Sequence, residues 1–133
     1  MEKPEILVVE DNAVLQKVIE LFSAKCGVVP RIFGSGTEAV KAVANGGSYA
    51  LILMDWKLPD MDGLECTRQI REIQSQRDVH TPVIAMTASV LAGDRQKCLD
   101  AGMNDYMSKP FSSEQFREMI YRWLAPAIER KAI

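Results

Sequence analysis

The chain has 133 residues, enough for one domain with its own core, and its 47% hydrophobic and 26% charged content is that of a globular protein. A net charge of −2 gives no basic footprint for nucleic acid, and the longest apolar run, Tyr49–Met54, falls far short of the roughly 20 residues that span a bilayer. The opening Met-Glu-Lys-Pro lacks an apolar secretory segment, and Cys26, Cys66 and Cys98 lie far apart without C-x-x-C spacing, which argues against a disulfide framework or zinc site and for a reducing cytoplasm.

Ile6–Val9 is a short β-branched run and reads as the first strand. Asn12 then caps a helix with Val14, Leu15, Val18, Ile19, Leu21 and Phe22 at helical spacing, and Gly27 ends it in the position that favours a left-handed backbone. Val28–Phe33 follows as a second strand, which Pro30 places at a sheet edge. Ser35-Gly-Thr-Glu38 has capping-box spacing ahead of a helix striped by Ala39, Val40 and Val43. Ala50–Met54 is a strand apolar on both faces, and a helix runs from Gly63 to about Gln74. Pro82–Met86 is the fourth strand, a helix weakened by Gly93 spans about Ala92–Ala101, and Asp105–Ser108 is a short fifth strand. Ser112-Ser-Glu-Gln115 is a second capping box, opening a helix that carries Phe116, Met119, Ile120 and Trp123 on one face. Residues 1–125 form the domain and 126–133 a fraying tail. The methionines read mostly as core and His80 as a solvated loop residue.

Strands alternating with helices imply an α/β fold: a doubly wound, five-stranded parallel sheet with helices on both faces. The flavodoxin-like strand order 2-1-3-4-5 is the common solution at this length. In such sheets ligands bind beyond the carboxyl ends of the strands, where the order reverses.

The residues at those ends are polar. Strand one is followed by Glu10-Asp11, strand three by Asp55, strand four by Thr87, and strand five by Lys109-Pro110. An isolated acid after a strand ordinarily caps a helix or shapes a turn, and Asp60 and Asp62-Gly63 read that way. The conjunction says more. Three neighbouring carboxylates need neutralising, and Mg²⁺ is the fitting cation because it takes oxygen ligands while retaining waters. Lys109 and Thr87 then suit phosphoryl oxygens, and Asp55 suits a nucleophile that accepts the phosphoryl group on its carboxylate.

"ILVVEDN", "LILMDWKLPDMDG", "PVIAMTAS" and "AGMNDYMSKPF" together resemble the receiver domain of two-component response regulators, over about residues 5–124. In wording the chain resembles most the receivers carried by hybrid sensor histidine kinases. The resemblance implies that Asp55 is the phosphoacceptor, that Glu10, Asp11, Asp55 and the main-chain carbonyl of Lys57 hold Mg²⁺, and that Thr87 and Lys109 bind the phosphoryl group. It implies Tyr106 as an aromatic that swings inward with Thr87, a cis Lys109–Pro110 bond, and tuning of phosphoryl hydrolysis by Lys57 and Ser89. A sensor histidine kinase or histidine phosphotransfer protein would be the donor, and a downstream output domain or protein the recipient. No direct nucleic-acid or membrane partner is expected. The chain would be a signalling domain rather than an enzyme, although one that catalyses its own phosphorylation and dephosphorylation.

Other readings fit less well. A haloacid-dehalogenase-like phosphatase also forms an aspartyl phosphate, but it places D-x-D after the first strand and needs a cap insertion. A flavodoxin-like carrier would meet Glu10 and Asp11 where the FMN phosphate must bind. A receiver-like scaffold that is never phosphorylated would have no need of the complete set of strand-end residues.

Overall fold

The computed structural model describes residues 3–88 and 93–132, with side chains through Ala125. The chain alternates β1 (Glu5–Val9), α1 (Ala13–Cys26), β2 (Val29–Phe33), α2 (Gly36–Ala44), β3 (Leu51–Asp55), α3 (Gly63–Ser75), β4 (Val83–Thr87), α4 (Asp94–Asp100), β5 (Asp105–Ser108) and α5 (Ser113–Ala132). The five strands pair in parallel in the order β2-β1-β3-β4-β5, as the sequence pattern implies, with the proline-bearing β2 at an edge.

Alternation along the strands divides the core in two. Ile6, Val8, Leu51, Leu53, Ile84, Met86 and Met107 pack with Ile19 of α1 and with Phe116 and Ile120 of α5. Leu7, Val9, Ile52, Met54, Val83 and Ala85 pack on the other side with Ala39 and Val43 of α2, Cys66 and Ile70 of α3, and Cys98 of α4. The same alternation, followed to the strand ends and one residue beyond, sends Glu10, Asp55 and Lys109 toward the α1/α5 side. Thr87 and Tyr106 fall on the opposite side.

The helix caps follow the sequence. Asn12 accepts from the Leu15 amide and Gly27 adopts φ 75°. Ser35 accepts from the Glu38 amide. Ser112 and Gln115 form a reciprocal capping box, at 3.1 Å from the Gln115 amide to Ser112 Oγ and 2.8 Å from the Ser112 amide to Gln115 Oε1. The cysteines are free and buried, His80 is exposed, and Met54, Met86, Met103, Met107 and Met119 are core.

Three expectations need correction. Val14 and Leu21 are not core: they are 75% and 65% exposed. At about 100° per residue they share a stripe with half-buried Val18, turned away from Leu15 and Phe22, which pack on the sheet. The final helix continues past 126, with a backbone that is helical to Ala132; Ala, Glu, Arg and Lys dominate this stretch of sequence and favour helix despite Pro126. Helix α4 is shorter than expected, Asp94–Asp100, with Gly93 at φ 92° preceding it and Ala92 outside the described residues. Among the described residues no helix is long and apolar enough to cross a membrane.

Candidate functional site

The switch point between β1 and β3 opens into a cleft of about 550 Å³ that takes in Glu10, Asp11, Asp55, Trp56, Lys57, Thr87 and Lys109. The sheet delivers these groups. In the β1–β3 register Val9 lies beside Met54, and in the β3–β4 register Asp55 lies beside Met86, so Glu10, Asp55 and Thr87 emerge together at the carboxyl edge. Asp55 is 5% exposed and Glu10 1%, whereas Asp11 is exposed.

Lys109 Nζ lies 2.7 Å from Glu10 Oε1 and 2.9 Å from Asp55 Oδ1, donating to both. The amide of Asn12 donates to Glu10 Oε2 at 3.1 Å. Burial pushes the Glu10 carboxyl up from its ordinary value, and neighbouring Asp55 adds to this, against the opposing hydrogen bonds from Lys109 and Asn12. Burial pulls the Lys109 ammonium down, but its bonds to Glu10 and Asp55 outweigh that and hold it above the ordinary lysine value. One cation thus bridges two buried anions, and the peptide that follows it, Lys109–Pro110, is cis.

Each of Glu10, Asp11 and Asp55 offers an oxygen within 4.8 Å of the others. All three donors are carboxylates, the hard oxygen ligands that Mg²⁺ prefers. Asp11 makes no side-chain hydrogen bond to the described residues, so its carboxylate faces the cleft uncommitted. The residues present therefore fit a partly hydrated Mg²⁺. Lys57 sits at the cleft wall, its amide 3.4 Å from Asp55 Oδ1.

Tyr106 is half-buried and lies outside this cleft. It lines a separate cavity of about 420 Å³ with Arg95 of α4 and Met119 and Arg122 of α5. Ser89 lies outside the described residues. Sequence reasoning also missed groups that the fold recruits. Gln16 Nε2 donates to the Glu10 carbonyl at 2.6 Å and braces the acidic turn. Asp94 and Lys97 of α4 reach the cleft wall, and no spacing rule signals that. Asp60 does more than shape a turn: its carboxylate accepts from the Gly36 amide at 2.9 Å, the Thr37 amide at 2.8 Å and the Thr37 hydroxyl, across the start of α2.

Residues 6–121 match the family described as response regulator receiver domain. The chain is 38% identical to hybrid signal transduction histidine kinase B of Dictyostelium discoideum over 90% of its own length but 7% of that protein's. It is 43% identical to the transcriptional regulatory protein YkoG of Bacillus subtilis over 86% of its own length and 48% of that protein's. The chain therefore spans less than half of either relative. Among solved structures, the receiver domain of sensor histidine kinase PA1611 of Pseudomonas aeruginosa, with magnesium coordinated in its active-site cleft, superposes with TM-score 0.81 at 42% identity, covering 92% of this chain and 98% of that one. The Saccharomyces cerevisiae receiver domain of Ssk1, solved with the phosphotransfer protein Ypd1, gives TM-score 0.86 at 31% identity, covering 96% and 92%. Because the family model matches residues 6–121, and the sheet runs in the order β2-β1-β3-β4-β5, the chain belongs to the response regulator receiver domains of two-component signalling.

Proposed function

We propose that this receiver accepts a phosphoryl group on Asp55 from a partner's phosphohistidine and uses it to change its own surface. The observation that supports this most is the Lys109 ammonium held between Glu10 and Asp55, at 2.7 and 2.9 Å, beside an uncommitted Asp11. In the transfer, an oxygen of Asp55 forms the new bond to phosphorus as the N–P bond of the donor breaks, and the imidazole leaves with the electron pair. Glu10, Asp11, Asp55 and the Lys57 carbonyl would hold Mg²⁺, which when bound would supply charge neutralisation for the transferring group. Lys109 holds Asp55 oriented and follows the phosphoryl oxygens once they arrive, and the Thr87 hydroxyl serves another of them. Lys57 at the cleft wall, with Ser89, tunes how fast water removes the group. The domain thus catalyses its own phosphorylation and dephosphorylation.

The stripe of exposed Val14 and Leu21 with half-buried Val18 between them begins next to the Asn12 cap, at the cleft mouth. It suits docking by a sensor kinase or a histidine phosphotransfer protein, the kind of partner present in the Ssk1 structure. Output leaves by another face. Thr87 ends β4 beside β5, and Tyr106 lines the cavity between β5, α4 and α5. A change at Thr87 that repositions Tyr106 biases a two-state equilibrium on that face for an output domain or protein to read. The free, buried thiols accord with a reducing compartment such as the cytoplasm.

Phosphoramidate, whose P–N bond stands in for phosphohistidine, tests the reading. It should label the chain only with Mg²⁺ present, and Asp55→Asn should remain unlabelled. Equal labelling of the variant would refute the assignment.

A further inference from the structure

The β3–α3 loop carries Trp56 and Lys57 along the cleft and closes on itself: the main chains of Lys57 and Asp62 pair as an isolated antiparallel β-bridge, and the Gly63 amide donates to the Trp56 carbonyl at 2.7 Å. Asp62 is committed to capping α3, accepting from the Glu65 amide at 2.7 Å. That leaves Asp60 to fasten the loop outward. Its carboxylate takes the Gly36 and Thr37 amides, two of the amides that an α-helix start leaves without intrahelical partners, plus the Thr37 hydroxyl. Ser35 serves the Glu38 amide, so the loop supplies the share of α2's cap that α2's own sequence does not. The contact is tight in a second way. A Cβ on Gly36 would come within 2.6 Å of Met61 Cγ, so only glycine lets Met61 lie against the helix start beside Asp60.

We infer that Asp60 and Thr37 form a latch that holds the β3–α3 loop, and with it the Lys57 carbonyl, in the position the metal site requires. The inference rests on the reading of that carbonyl as an Mg²⁺ ligand. Mg²⁺ demands near-octahedral geometry, so a loop free to shift forfeits affinity even when every ligand is present. Asp60 touches neither metal nor substrate and is a positioning residue. Coupling is reciprocal: metal that favours one loop position strengthens the latch, and the latch strengthens metal binding.

Mg²⁺ titration of the whole chain, read by Trp56 emission, tests this. Asp60→Ala should weaken Mg²⁺ by about tenfold, the low end of what groups supporting metal ligands contribute. Thr37→Val, which keeps the carboxylate and both amide bonds, should move the midpoint less and in the same direction. The double variant should match Asp60→Ala, because both changes act through one contact. In the parent, Mg²⁺ should slow hydrogen exchange of the Gly36 and Thr37 amides, and in Asp60→Ala it should not. An unchanged midpoint in Asp60→Ala overturns the latch alone, provided Asp11→Ala still silences the response; should Asp60→Ala fail to fold, an unchanged midpoint in Thr37→Val does so. A parent that shows no Mg²⁺ response at all removes the metal site and the latch together.

Discussion

Lys109 Nζ sits 2.9 Å from Asp55 Oδ1 although the two residues are 54 positions apart, and the same nitrogen reaches Glu10 at 2.7 Å. Only the parallel order of β1, β3, β4 and β5 brings these strand ends within reach of one side chain. Removing the lysine leaves two buried carboxylates facing each other. Lys109→Ala should fold but lose about 3 kcal/mol at neutral pH, since breaking a buried pair strands the remaining charge. Mg²⁺ should recover more stability in this variant than in the parent, because the cation replaces the missing one. Urea melts with Mg²⁺ and with EDTA would show it; equal Mg²⁺ gains in both proteins would count against the bridging role. Phosphorylation of the variant should also no longer reach the output face.

Glu10 sets a pH dependence of its own. Burial raises its carboxyl above the ordinary 4.5, so between 4.5 and the raised value the folded chain binds a proton that the unfolded chain has released. Stability from this group therefore falls as pH rises through that window. In metal-free buffer, Glu10→Gln should lose this decline, and its melting profile should converge with the parent's at low pH. Parallel profiles from pH 4 upward, to about pH 7, would contradict it.

Asp60 has the opposite sign. Its bonds from the Thr37 hydroxyl, the Thr37 amide and the Gly36 amide hold the carboxyl at about 2, below its ordinary 3.8. The stabilisation is fully present above the ordinary value and is lost as pH falls through about 2. Asp60→Asn should be less stable than the parent at neutral pH, with the gap closing under strong acid. A gap that persists there would show the charge to be irrelevant.

Gly63→Ala should be costly for a local reason. The added Cβ would lie 2.3 Å from the Asp55 carbonyl oxygen and 3.1 Å from Met54 Cγ. Such overpacking costs about 1–3 kcal/mol, and relief requires moving the Asp55 main chain, so phosphorylation should slow as well. A variant with parental stability and rate would mean that α3 shifts freely.

Much of this was legible in the sequence, for identifiable reasons. Leu51–Met54 and Val83–Met86 are apolar on both faces, which marks strands of a covered parallel sheet, and the polar residues that follow them have nowhere to go but its edge. The period of two then places Glu10 and Asp55 on one side. Side-chain reach across the fold was not legible. Asp60 meets α2 across 24 positions. Arg71 joins α3 to the Gly102 carbonyl, the Thr81 carbonyl and Asn104 at 3.0, 2.6 and 2.8 Å, and neither contact leaves a spacing signature. Helical spacing alone could not separate the core stripe of α1 from the exposed stripe of Val14 and Leu21, because both recur with the same period.

The metal site predicts an optical signal. Trp56 lines the cleft, while Trp123 donates to Asp105 at 3.2 Å on the β5/α5 side. Mg²⁺ should give a saturable change in emission that is absent in both Asp11→Ala and Trp56→Phe. Persistence of the change in Trp56→Phe would mean that metal acts through Trp123, on the other side of the domain.

Site mapping of the phosphoryl group tests the account most directly. After treatment with acetyl phosphate and Mg²⁺, the modification should map to Asp55 alone, be cleaved by hydroxylamine as an acyl phosphate must be, and vanish with EDTA. A hydroxylamine-resistant modification, or one that maps elsewhere while Asp55 stays unmodified, would contradict the account.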